Sequence, residues 1–300
     1  MNIEWPRKTR ELHTTFFDSR IWNKFKFRDD DIIIGTYAKS GTTWVQQIIG
    51  QLLFDGKENL PVAHMSPWLD FTLPTAAEKL DLLEAQTDRR FIKTHLPVDA
   101  LVFSPRAKYI YIGRDGRDVA WSFHNHHANF TAVAYEAFKH REDPVGPPLT
   151  PTTKEVKPYF MEWMEKDGYP WWPFWENIRS WWEIRHLPNV MLLHFEKLKQ
   201  DMPREMQRMA AFLEIPITES RWPTIVEHCT FDYMKAHAEN AAPGGGIFWE
   251  GGGKTFVHKG TNGRWRDLLT AEESRTYEQR ARKELGDACA HWLATGDLTP

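Results

Sequence analysis

Apolar positions along this chain gather into four short runs, each followed by a turn and then by a different period. The first run, IIIGTY after Asp31, is β-branched and predicts a buried strand. It passes through AKSG into a stretch from Thr42 where Val45, Ile48, Ile49, Leu52 and Leu53 recur at helical spacing. FIKTH after Arg90 predicts a second strand, closed by Leu96-Pro97. KYIYIG from Lys108 predicts a third, ending at Arg114, and Asp115 is suited to cap the helix that runs on through His127. VMLLHF after Asn189 predicts a fourth, with a helix from Met202 that holds Pro203 in its first turn. Strands alternating with helices imply an α/β fold: one domain over residues 1–300, with a central, mainly parallel sheet flanked by helices.

Elsewhere the period fades. Residues up to about 28 read as an N-terminal extension. Residues 129–170 are rich in Pro, Gly and aromatics, and 243–254 carry two glycine triplets; both are expected to be mobile, pocket-covering segments. Residues 271–285 predict a charged helix with a frayed tail beyond it.

Composition narrows the class. With 41% hydrophobic and 26% charged residues, the chain is neither disordered nor an integral membrane protein. No apolar run approaches the ~18 residues of a spanning helix, so no membrane insertion is expected. A net charge of -3 gives no general nucleic-acid surface, though it leaves room for a local anion pocket. The N-terminus lacks an apolar signal region, and the two cysteines, Cys229 and Cys289, suit a reducing compartment; a cytoplasmic location is the expectation. Six of the 15 tryptophans crowd between Trp163 and Trp182, which hints at an aromatic-lined cleft; core packing accounts for most of them.

The first strand–loop–helix carries chemistry. GTYAKSGTTW is P-loop-like but fails G-x-x-x-x-G-K-[ST], because Ser40 takes the place of the second glycine and the lysine has moved back to Lys39. It still offers backbone N–H groups from Ser40 through Gly41 to Thr43, the hydroxyls of Thr42 and Thr43 at a helix N-terminus, and the charge of Lys39. A plain turn of small residues is the bland alternative. His95 ends the second strand at the carboxyl edge, where open α/β sheets bind ligands. Alone among 13 histidines it would read as a packed core residue, but its place after Lys93 makes it a candidate base. His124, His126 and His127 lack a carboxylate at metal-ligand spacing, so they read as a pocket wall and no metal is expected.

Taken together, these segments resemble the cytosolic sulfotransferase family, whose members use 3′-phosphoadenosine 5′-phosphosulfate (PAPS). AKSGTTW departs from the family loop only at Ala38, where proline is usual. Lys93-THLP matches the family's KTHLP; Arg114 and Ser122 keep the eight-residue spacing of its 3′-phosphate motif; and FVHKGTNGRW from Phe256 is similar to its C-terminal element. The likeness spans about residues 30–270. It implies that His95 is the catalytic base, with Lys39 and Lys93 serving the 5′-phosphate and sulfuryl group. It also implies that Arg114, Ser122, His258, Lys259 and Gly260 hold the 3′-phosphate, and that Trp44 and Phe231 sandwich the adenine. If His258 touches that phosphate, donor affinity is expected to fall as pH rises past neutrality. Phe195, Cys229, His258 and Arg264 depart from the family pattern. The family's dimer motif keeps only Thr270, so no oligomeric state follows. The expected activity is sulfuryl transfer from PAPS to a hydroxyl of a small aromatic or apolar acceptor. The competing readings are a P-loop kinase, which would need Mg²⁺ and the missing lysine position, and a non-catalytic PAPS-binding protein.

Overall fold

The computed structural model describes residues 3–139, 145–146 and 148–298. All four predicted strands form: β1 (Ile32–Thr36), β2 (Phe91–Thr94), β3 (Lys108–Gly113) and β4 (Val190–His194). They pair in parallel in the order β2-β1-β3-β4. In this order the chain steps from β1 to β2 on one side and then crosses over β1 to β3. The carboxyl ends of β1 and β3 therefore flank the crevice where such sheets bind ligands.

Alternation along the strands divides the core. Ile32, Ile34, Ile110, Ile112, Met191 and Leu193 face α1 (Thr42–Leu53), through Val45, Ile48, Ile49 and Leu52, and a second helix from Met202 to Leu213. Ile33, Tyr109 and Tyr111 face the aromatic side, where Trp163, Trp175, Trp181 and Trp292 are buried. Two strand glycines are dictated by this packing. A Cβ on Gly35 would lie 2.5 Å from Trp181, and one on Gly113 2.4 Å from Trp292, so neither strand could bear a side chain there.

Four expectations change. The residues read as an N-terminal extension bury Phe16, Phe17, Ile21, Trp22 and Phe25 in the aromatic core. The 129–170 stretch contains helices Ala132–Lys139 and Val156–Glu165, the second with Tyr159, Phe160 and Trp163 buried; 140–144 and 147 lie outside the described residues. The glycine stretch, expected to be a mobile pocket-covering segment, holds two short helical turns, Pro243–Gly246 and Gly253–Phe256, the first with non-helical Gly244 and Gly245. The supposed frayed tail is a helix, Asp287–Thr295, whose Trp292 packs beside Trp182 and His194. Each of these segments is short and aromatic, and tertiary burial stabilises it where local pattern does not. Thr270, the surviving residue of the dimer motif, caps helix Ala271–Leu285 in a reciprocal box with Glu273. Trp292→Ala is expected to cost about 3–5 kcal/mol of stability, read as a lower denaturant midpoint at unchanged slope.

Candidate active site

The loop after β1 is shaped for an anion. Gly41 has φ 111° and caps α1 without any side-chain hydrogen bond, so the N–H groups of the first turn stay open at the positive end of the helix. Alanine there would be strained in backbone and would meet Phe195 at 2.8 Å. Lys39 also has positive φ, 69°. Its carbonyl accepts from Nη1 of Arg114 at 2.9 Å, which ties the loop after β1 to the end of β3.

Arg114 is a hub. Its Nε donates to Asn262 Oδ1 at 2.9 Å and its Nη2 to the carbonyl of Thr261 at 3.0 Å, while the guanidinium lies 4.2 Å from the ring centre of Phe195. The segment at 258–263 is thereby drawn to the loop despite a separation of more than a hundred residues. Asn262 in turn donates to Glu196, and the Gly263 N–H donates to Asp118, whose carboxyl burial raises to about 6.

His95 sits between the rings of Trp68 and Trp172, 4.5 and 5.8 Å from their centres. Its Nδ1 is 2.8 Å from the Thr36 carbonyl oxygen, which can only accept; the ring proton is therefore on Nδ1 and the Nε2 lone pair is free. Asn177 holds the His95 carbonyl at 2.9 Å and is itself held by Tyr111, so the ring is fixed from behind. Burial, with the charges of Lys93 and Lys39, pushes its pKa down to about 3, and the imidazole is neutral at ordinary pH. Burial likewise holds Lys39 down to about 7, helped by Arg114 and Lys93, and Lys93 down to about 8 against the pull of Asp70. Among the described residues neither lysine forms an ion pair with a carboxylate. Half-buried cations without counter-ions mark a place for an anion.

One cavity of about 1200 Å³ collects these groups. Lys39, Gly41, Thr42, Thr43, Trp44, Arg114, Ser122, Phe231, His258, Lys259 and Gly260 all line it. So do His95 and Lys93, and so do the aromatic side chains of Trp68, Phe71, Phe123, Phe138, Trp171 and Trp249. Ser40 is the exception: it is fully buried behind the wall, its Oγ without a partner among the described residues. The Trp44 indole donates to the Cys229 carbonyl at 2.8 Å, which sets its ring on edge to Phe195. His258 lies 3.4 Å from the Arg264 guanidinium; burial and its cationic neighbours drive its pKa down to about 4. His124 and His127 bind the carbonyls of Thr153 and Thr150, whereas His126 reaches Lys39 Nζ at 3.0 Å. Among the described residues no group of three or more metal-ligating side chains comes together.

The sequence reading missed Asp118, and it took His126 as pocket wall without its contact to Lys39. Both were within reach of it, since Asp118, Ser122 and His126 recur every fourth residue along helix Gly116–Ala128 and so share one face.

A parallel sheet whose crevice joins an open helix N-terminus, several cations, a neutral histidine and an aromatic lining is the arrangement expected of a transferase of an anionic donor group. The sulfotransferase domain model matches residues 29–288, and the chain belongs to that family. It is 33% identical over 322 residues to a glycolipid sulfotransferase of Mycobacterium tuberculosis, covering 99% of this chain and 98% of that one. It is 29% identical to sulfotransferase 1A1 of Rattus norvegicus, with 86% and 85% covered. In structure it is similar to a retinol dehydratase bound to retinol and PAP, at TM-score 0.70 and 25% identity over 89% of this chain and 84% of that one. Mouse sulfotransferase SULT7A1 complexed with PAP shares the fold at TM-score 0.71 and 22% identity, with 96% and 97% covered.

Proposed function

We propose that this sulfotransferase moves the sulfuryl group of PAPS to a hydroxyl of a small, largely apolar acceptor, with His95 as the general base. The carrying observation is the His95 Nε2, left without a protein partner among the described residues, in one cavity lined both by Lys39, Lys93 and Arg114 and by aromatic side chains. PAPS is the co-substrate, and it supplies an activated sulfuryl group whose bond to the 5′-phosphate is the one broken. His95 Nε2 takes the acceptor's proton as the oxygen attacks sulfur. Lys39 and the first-turn N–H groups of α1 meet the charge that collects on the 5′-phosphate oxygen, and Lys93 stands beside the sulfuryl position. Arg114, Ser122, His258, Lys259 and Gly260 bind the 3′-phosphate, and Trp44 and Phe231 bracket the base. Bound anions offset the repulsion from Lys39 and Lys93, which lifts the basicity of His95 toward the working range.

The apolar lining suits a flat or tail-bearing alcohol, and the likeness to a glycolipid sulfotransferase supports an amphipathic acceptor. Among the described residues no helix is long and apolar enough to cross a membrane. Mass spectrometry of a panel of alcohols, phenols and glycolipids incubated with PAPS tests the reading. Sulfonated product with an alcohol or phenol supports it, and transfer to amines alone would overturn it.

Two further results are expected. Lys39→Ala lowers turnover at saturation more than it weakens PAP binding, because the charge it meets grows only in the transition state. Steady-state kinetics beside PAP titration checks this. The second concerns pH. In the free protein Lys39 is held to about 7, so at pH 8 it is mostly neutral; a bound anion restores its proton. PAP binding should therefore take up protons at pH 8, less so toward pH 6, and affinity should fall as pH rises above 7. Calorimetry in buffers of differing ionisation enthalpy reads the uptake, and Lys39→Arg should remove most of it. His258, which burial and its cationic neighbours hold at about 4 in the free protein, adds its own dependence only where the bound 3′-phosphate raises that value toward neutrality.

A further inference from the structure

His126 has no part in the scheme above, yet it stands in the middle of it. Its Nδ1 is 3.0 Å from Lys39 Nζ. Its ring is boxed by Trp249, Phe130 and Phe256 at 4.8, 5.0 and 6.0 Å between centres. It lines the same cavity, on the aromatic side of Lys39. An ammonium has three donors and no acceptor, and a bound anionic donor keeps Lys39 protonated. His126 Nδ1 must then accept, and the one proton of its neutral ring is fixed on Nε2. Burial and the charges of Lys39 and Lys93 keep the ring from taking a second proton. The consequence is an N–H donor of fixed tautomer with no protein partner among the described residues, on the wall of a cavity whose lining is mostly carbon with a few polar groups such as Asn125. A ligand that fills the cavity strips water from that N–H, and an N–H left unpaired is costly, so such a ligand is selected for an oxygen that accepts from it.

Resting on the reading above, we propose that His126 binds the acceptor. Its Nε2–H takes a second oxygen of the acceptor, apart from the hydroxyl that is sulfonated, so the protein prefers acceptors with two oxygens, such as catechols, other diols or sugar rings. Lys39 serves both sides: its ammonium meets the donor's phosphate and orders the imidazole that reads the acceptor.

The test compares kcat/KM for 2,3-dihydroxynaphthalene and 2-naphthol in the unaltered protein and in His126→Phe, which keeps the aromatic packing. Intrinsic reactivity differences between the two acceptors are common to both proteins and cancel. The diol's advantage is expected to fall about tenfold in His126→Phe, the effect of one hydrogen bond left unmade. His126→Gln, which retains both an acceptor and a donor, is expected to restore part of it. PAP affinity should stay within about twofold in both variants, which separates acceptor reading from a general disturbance of the site. An unchanged diol advantage in His126→Phe overturns the proposal. PAPS-dependent sulfonation of neither acceptor by the unaltered protein would instead strike the hydroxyl-acceptor reading on which it rests.

Discussion

His95→Ala is expected to lower kcat by about 10²–10⁴-fold while PAP affinity changes little, because general-base catalysis contributes on that scale and acts on the acceptor's proton. The geometry makes this loss specific. Nδ1 is committed to the Thr36 carbonyl and the His95 carbonyl is held by Asn177, so the side chain's remaining capacity is the Nε2 lone pair facing the cavity. Removing the ring leaves a gap between Trp68 and Trp172 that water can enter, yet water there lacks the fixed orientation of the imidazole. The pH profile adds a second check. With the free-enzyme pKa near 3, kcat/KM for PAPS should show no fall on the acid side from protonation of His95 until well below pH 5. Near-normal turnover in the alanine variant, measured with saturating PAPS, would end the assignment of His95 as base.

How much of this was legible beforehand differs by element, for physical reasons. The four strands were readable because each is buried on both faces and bounded by turn residues, so a short β-branched or aromatic run had one reading. The anion loop was readable because a helix N-terminus needs small residues and open N–H groups whatever surrounds it. The final helix was not. Asp287–Thr295 is nine residues long and holds together through Trp292 against Gly113, a contact between residues far apart in the sequence. The same holds for the N-terminal stretch, where Phe16 and Trp22 carry no period and declare themselves only by their neighbours. His126 shows the limit most plainly. Helical spacing places it on the row of Asp118 and Ser122, but nothing local says that this row faces Lys39.

Loss of the 3′-phosphate from the nucleotide is expected to weaken binding by tenfold or more, and Arg114→Ala to remove much of that discrimination. Charge-assisted hydrogen bonds contribute roughly 1.5–3 kcal/mol each, and one alone exceeds the 1.4 kcal/mol of a tenfold change. Arg114 uses three of its five N–H groups on Lys39, Thr261 and Asn262, which leaves two for a ligand and fixes the guanidinium before one arrives. That preorganisation also complicates the substitution. Without Arg114 the Lys39 carbonyl and the 258–263 segment lose their tie, so affinity for any nucleotide falls, with or without the 3′-phosphate. A double cycle separates the two effects: PAP and its 3′-hydroxyl analogue are titrated against the unaltered protein and against Arg114→Ala. Loosening of the loop weakens both nucleotides alike and cancels, and the remaining coupling reports the phosphate contact. A coupling near zero would leave Arg114 as a tether alone. Equal affinity of the unaltered protein for the two nucleotides would remove the 3′-phosphate site itself, since Ser122, His258 and Lys259 line the same cavity and would then serve no second anion.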